Sequence, residues 1–246
     1  ATPQPPQAIA QRFCSIGILC ASDTELAPFL PRIQSPDITE KAMLKFYAGR
    51  IGEMDTIAVY SGVCKVNAAV AAQLLIDTFH VDGIINVGTA GGMAESVQLF
   101  DTVISDRIVY HDVAEDILTE FHPWLKENYF ESDRKLFAAA QRYSEKIPYP
   151  VLFGMMATGE QFIEDEKRGE INEKYAPLSV DMETAAAAHV CYVNSVPFLS
   201  VRTITDTAEH KGAENFEKNC ETASERAAGI VIGILEELCG EAAEVG

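Results

Sequence analysis

Apolar and polar residues fall in blocks along this chain, and the blocks switch repeatedly between a strand pattern and a helix pattern. Residues 13–21 form a nearly continuous apolar run, suited to a strand covered on both faces. Ser22-Asp23-Thr24-Glu25 follows and predicts a helix N-terminus, because a serine can cap the first amides while the glutamate three residues on reaches back. Residues 44–48 and 56–60 read as further strands, and 66–80 carry apolar side chains at helical spacing. Residues 83–87 predict a short buried strand ending in a turn, Gly88-Thr89-Ala90-Gly91-Gly92. A longer strand follows over 102–110, then a stretch at 111–130 without clear period, read as a loop with a helical turn or two. Residues 135–144 read as helix, 151–157 as strand and 163–175 as a charged, helix-like excursion.

The last third repeats the alternation: a strand to Met182, a helix over 184–193, a strand over 198–204 and a closing helix. Pro197 suits the start of its strand, where no ladder donor is lost. In the closing helix Ala223, Ala227, Ile230, Val231, Ile234, Leu235 and Leu238 share one stripe. Strands alternating with helices predict an α/β fold, a three-layer sandwich around a largely parallel sheet. With 246 residues and 48% hydrophobic composition, one domain over 13–246 can hold a sizeable core. The proline-rich start, residues 1–12, is expected to be a disordered tail.

Charge and cysteine content narrow the partners. The net charge of -18 is spread along the chain, which argues against nucleic acid and anionic membrane and leaves a small molecule as the expected partner. Six cysteines lie far apart, without CxxC pairs or zinc-finger spacing, so they read as small core residues and no metal site is expected. No apolar run reaches the length of a membrane span and no charged-then-apolar leader is visible, so a soluble protein of the reducing cytoplasm is expected.

The candidate chemistry sits where strands end. Ser179-Val180-Asp181-Met182-Glu183-Thr184-Ala185 places two carboxylates around a methionine at a strand-to-helix junction, and Thr205-Asp206 ends the next strand. Ligands of open α/β sheets bind at such C-terminal ends, so these acids predict a polar cluster at neighbouring strand tips. Each acid also has a simpler role available, as a helix cap or, for Glu25, the second half of a capping box. If the strand persists through Glu183, alternation sends Asp181 and Glu183 the same way and Met182 the other. Arg202 can pair with Asp206 or with Glu183. His111-Asp112 lacks a nucleophilic serine and reads as structural or interfacial, and His189 as a packed core residue. Phe162, Phe216 and Trp124 stand in polar surroundings, where an aromatic ring can stack on a ligand base or cover the core.

Four motifs in order, Ile85-Asn86-Val87-Gly88-Thr89-Ala90-Gly91-Gly92, Val180-Asp181-Met182-Glu183, Ala188-His189-Val190-Cys191 and Val201-Arg202-Thr203-Ile204-Thr205-Asp206, resemble those of the bacterial 5′-methylthioadenosine/S-adenosylhomocysteine nucleosidases of the nucleoside phosphorylase superfamily. The resemblance runs from about Phe13 to the last helix. It implies an αβα sandwich with a mixed, barrel-like central sheet, hydrolysis of the N-glycosidic bond of 5′-substituted adenine nucleosides, no cofactor, and a homodimer whose partner subunit completes the pocket. By similarity Asp206 protonates adenine N7 and Glu25 activates water. Glu183 holds the ribose hydroxyls, Met182 packs on the sugar, Thr89 lies near the base and Arg202 organises the acids. Phe162 and Ile163 contact adenine, and Phe216 lies near the lid over the 5′ substituent. The chain departs from the family pattern at Gly62-Val63-Cys64-Lys65 and over residues 113–129, the region that closes the neighbouring subunit's 5′ pocket. Alternatives are a phosphate-dependent purine nucleoside phosphorylase and a nucleoside-binding protein without turnover. The first needs a Gly-Asp-Pro type turn after the first strand, where this chain has Cys20-Ala21-Ser22-Asp23 followed by an acid.

Overall fold

The computed structural model describes residues 12–163, 165–210 and 212–244. The expected tail lies outside them except for Arg12. The chain opens with β1 (Ser15–Cys20), α1 (Asp23–Leu26) and a single 3-10 turn, then a meander of β2 (Gln34–Lys41), β3 (Leu44–Ile51) and β4 (Met54–Tyr60). Helix α2 (Lys65–Asp77), β5 (Gly83–Gly92), β6 (Thr102–Tyr110), the short α3 (Ile117–Glu120) and β7 (Phe130–Glu131) come next. After α4 (Arg134–Ser144) and β8 (Val151–Thr158) the chain forms α5 (Asp165–Tyr175), β9 (Ser179–Asp181), α6 (Thr184–Asn194), β10 (Phe198–Asp206) and the long α7 (Gly212–Glu244).

All strands join one sheet in the order β10-β6-β8-β9-β5-β1-β4-β3-β2, with β7 on the edge of β6. Because β10 also pairs with β5, five strands close into a barrel from which β1, β4, β3 and β2 extend as an open wing. The sheet is thus mixed and barrel-like rather than largely parallel. Strand β3 runs antiparallel to both β2 and β4. The tight reversals after Lys41 and Ile51 leave no room for the crossover that a parallel pair requires. Strand β2 escapes sequence reading because every residue in it is exposed, so no apolar alternation marks it.

Helices cover both faces. Ile18, Ile85, Leu199 and Val201 pack against Leu136 and Ala139 of α4 and Ala227, Val231 and Leu235 of α7. On the opposite face Leu19, Val59 and Ile84 meet Ala71 and Leu75 of α2 and Ala187 and Cys191 of α6. The predicted stripe of α7 is buried at all seven positions, and each large aliphatic side chain buried there contributes about 1.5–3 kcal/mol.

The run Gly88 to Gly92 is not a turn. Strand β5 continues through it, leaving β1 after Asn86 and pairing with β9 at Gly91 and Gly92, so it carries the open wing into the barrel. The glycines serve a different need. A Cβ on Gly88 would stand 2.3 Å from Glu25 Oε1, and one on Gly91 3.1 Å from Asp206 Oδ2. Two acids from separate elements therefore lie directly over the β5 backbone.

Candidate active site

Glu25 is placed by the start of α1. Ser22 Oγ accepts from Glu25 N at 3.3 Å, and Ser22 N donates back to Glu25 Oε2 at 3.2 Å, so the capping box forms. The carboxylate does more than cap. Oε2 also accepts from Ala21 N at 2.7 Å, while Oε1 accepts from Thr89 N at 2.8 Å and Thr89 Oγ1 at 3.0 Å. It bridges the tip of β1 to β5.

The junction after β9 divides its two acids. The strand ends at Asp181, so alternation does not extend to Glu183. Asp181 Oδ1 accepts from Glu183 N, Thr184 N and Thr158 Oγ1 at 2.8–2.9 Å, the capping role. Glu183 instead points back: its Oε1 accepts from Cys64 N at 2.8 Å, and its Oε2 lies 3.5 Å from Arg202 Nη2. Arg202, 1% exposed, donates to Asn86 Oδ1 at 2.7 Å and Thr89 O at 3.1 Å. Of its two candidate partners it takes Glu183 and leaves Asp206. Asp181 Oδ2 stands 3.9 Å from Arg202 Nε, a charge contact without a hydrogen bond.

Asp206 ends β10, with Thr205 Oγ1 donating to its Oδ1 at 2.9 Å. It and the β9 acids are not on neighbouring tips, since β5 runs between β9 and β10 and the glycines let the acids meet across it. Burial raises the Asp206 pKa, against the Thr205 hydrogen bond and the charge of Arg168. Glu183 is pushed up to about 7, chiefly by burial and further by Asp181 and Glu25, while Arg202 and the Cys64 amide oppose the rise.

A cavity of about 230 Å³ lies between these groups. Glu25, Thr89, Thr205, Asp206, Met182 and Glu183 line it. Phe162, Ile163 and Phe216 line it as well, Phe162 43% exposed and Ile163 buried. Eight of the nine residues singled out from sequence thus face one space, and the ninth, Arg202, stands behind it. Trp124 is elsewhere, 64% exposed and edge-on to His122. His189 stacks on Phe130, as a packing residue does. Sequence reading assigned no role to Val63 and Gln161 on the wall, nor to Asn86 behind it. Asn86 had a signal, a lone amide inside the apolar run of β5; Val63 and Gln161 had none. Among the described residues no group of three or more His, Cys, Asp or Glu side chains is placed to hold a metal ion.

Comparison with known proteins agrees with this geometry. The profile of the phosphorylase superfamily matches residues 15–236. The 5′-methylthioadenosine/S-adenosylhomocysteine nucleosidase of Oceanobacillus iheyensis is 31% identical over 229 residues, 91% of this chain and 100% of that protein. The Geobacillus thermodenitrificans enzyme of the same name is 34% identical over 226 residues, 89% of this chain and 94% of its own. The chain belongs to the 5′-methylthioadenosine/S-adenosylhomocysteine nucleosidase family. A member from Colwellia psychrerythraea, solved in complex with adenine, superposes with a TM-score of 0.85 at 31% identity over 92% of this chain and 96% of its own. A nucleosidase has to stabilise positive charge on a sugar and neutralise a departing base by protonation, and this cavity is lined by Glu25, Glu183 and Asp206 among apolar side chains. In the stretch Gly62-Val63-Cys64-Lys65, Cys64 has a φ of +83°, a region that favours glycine.

Proposed function

We propose that this nucleosidase-family chain hydrolyses the N-glycosidic bond of methylthioadenosine, S-adenosylhomocysteine and related 5′-substituted adenine nucleosides, releasing adenine. One observation carries the choice of water over phosphate. The backbone amides of Ala21, Ser22 and Thr89 converge as an anion cradle, and the chain's own Glu25 carboxylate fills it. A phosphate ion there would meet both occupied donors and a like charge.

In the proposed reaction the C1′–N9 bond breaks and its electron pair passes to adenine, while Asp206 gives its proton to N7. The sugar becomes oxocarbenium-like, and water attacks C1′ as Glu25 takes one of its protons. Return of that proton to Asp206 through solvent completes the cycle. Glu183 receives the ribose hydroxyls, Met182 packs on the sugar, and Arg202 holds Glu183 and the Thr89 carbonyl in place. Phe162 and Ile163 hold the base, Thr89 lies beside it, and Phe216 covers the 5′ side. Burial at Asp206 supports its part, because a raised pKa keeps an acid protonated closer to neutrality.

The assembly we propose is a homodimer whose partner subunit completes the 5′ side. Support comes from apolar side chains left in solvent on the α2–α6 layer: Val66 and Val70 on α2, Tyr192 and Val193 on α6, and Phe121 and Trp124 in the connecting segment. A monomer mass by light scattering would overturn it. The cytoplasm is the proposed compartment, supported by six cysteines that are all free thiols. Among the described residues no helix is long and apolar enough to cross a membrane.

The reading is tested by incubating the protein with methylthioadenosine, with and without phosphate, and separating the products. Adenine and free methylthioribose at the same rate in both reactions are expected. A phosphate requirement with a sugar phosphate product would move the protein to the phosphorylases, and intact substrate would favour the binding-protein alternative.

A further inference from the structure

Helix α5 follows directly on Phe162 and Ile163, and its sequence Asp165-Glu166-Lys167-Arg168-Gly169-Glu170-Ile171 looks like a solvated surface helix. One of its charges is not solvated. Arg168 is 8% exposed, with Nη1 donating to Gly92 O at the end of β5 and lying 3.4 Å from Met93 Sδ. One turn on, Asn172 Nδ2 donates to Met93 O at 3.1 Å, and Ile171 between them packs on Met93, Ile163 and Val180. Residues 168, 171 and 172 share a helical face, so α5 is fixed at two polar points and one apolar point to the end of the strand that underlies the site.

That strand end is also where the acid sits. Gly91, next to the carbonyl held by Arg168, is the β5 partner of Asp206, and Asp206 Oδ2 lies over it. A buried guanidinium is costly unless its charge is used, and Arg168 Nε has no partner among the described residues. Other charges around Asp206 are engaged elsewhere. Asp181 and Glu183 face Arg202, Glu25 bridges Ala21 and Thr89, Asp101 Oδ2 accepts from Gln98 N, and His210 contacts Thr207.

We propose that Arg168 is a positioning residue for the nucleosidase reaction, which locks the base-side loop 161–163 to the end of β5 and supplies the positive charge that stabilises the Asp206 carboxylate left when the proton passes to adenine. The proposal rests on Asp206 as the acid. The direction of the charge effect agrees, since Arg168 works against burial at Asp206 and makes it the stronger acid.

The test is the pH profile of kcat/KM for methylthioadenosine in Arg168→Gln, Arg168→Met and Arg168→Lys, beside Asp206→Asn. Activity falls on the basic side as the acid loses its proton, so removing a nearby cation moves that limb to higher pH. A shift of about half a unit to one unit is expected in the Gln and Met variants, with a several-fold lower kcat, while Lys stays near the parent limb. A purely structural anchor would raise KM and leave the limb in place. An unmoved limb in Arg168→Gln, or the same shift in Lys as in Gln, would overturn the proposal, and Gln, which retains a donor for Gly92 O, covers the case in which Met does not fold. Normal turnover in Asp206→Asn would instead remove the acid assignment on which the proposal depends.

Discussion

Replacing Glu183 by glutamine should make the protein more stable at pH 8 than its parent, although Glu183 sits at the centre of the site. The ionised carboxylate is 3% exposed, is crowded by Asp181 and Glu25, and is compensated only in part by Arg202 and the Cys64 amide. Its pKa rises from 4.5 to about 7 on folding. Between those values the folded chain holds a proton that the unfolded chain has released, so stability is full below 4.5 and is lost as pH rises through 7. At about 1.4 kcal/mol per unit, the rise corresponds to about 3 kcal/mol lost between pH 4.5 and pH 8. Glutamine keeps the acceptor for Cys64 N and carries no charge. Urea unfolding of both proteins at pH 5, 6, 7 and 8, at one protein concentration, reads the difference through the midpoint at constant m. The two proteins should be close at pH 5 and diverge by about 2–3 kcal/mol at pH 8, with glutamine the more stable. A difference that does not change with pH, or one of opposite sign, would show that the folded chain does not hold a proton on Glu183 above pH 4.5. Other groups titrate in both proteins and cancel in the comparison.

Gly88→Ala brings a methyl group to 2.3 Å from Glu25 Oε1 and must displace that carboxylate from Thr89. Steady-state assays should show kcat/KM for methylthioadenosine down about 100-fold, with a lower melting temperature because buried donors to Glu25 lose their acceptor. Cys64→Gly relieves a backbone φ of +83° and should stabilise the fold by about 1 kcal/mol in urea unfolding, while keeping the amide that holds Glu183; a destabilised variant would show that the thiol contact with Glu160 matters more.

Strands and helices with a clear apolar period were legible in the sequence, as was the αβα layering. Three features were not. Strand β2 is exposed throughout and has no period to read. The glycine run in β5 looked like a turn because glycine marks both turns and places where side chains from elsewhere cross a backbone. Barrel closure depends on the pairing of β10 with both β5 and β6, a long-range fact that no local pattern carries. Within the site, type and position of the acids were readable but their division of labour was not. The strand breaks at Asp181, which sends one acid to cap α6 and the other to Cys64 and Arg202, and Arg168 was hidden in a helix where Lys167, Glu170, Glu173 and Lys174 are exposed.

Turnover of methylthioadenosine by Asp206→Asn, with binding of the intact nucleoside measured on the same preparation, tests the proposed chemistry most directly. Asparagine fills the same space and keeps an acceptor for Thr205 Oγ1, but has no acidic proton for N7. Adenine release should slow about 100- to 10,000-fold with the nucleoside still bound. Adenine release at the parent rate would contradict that chemistry.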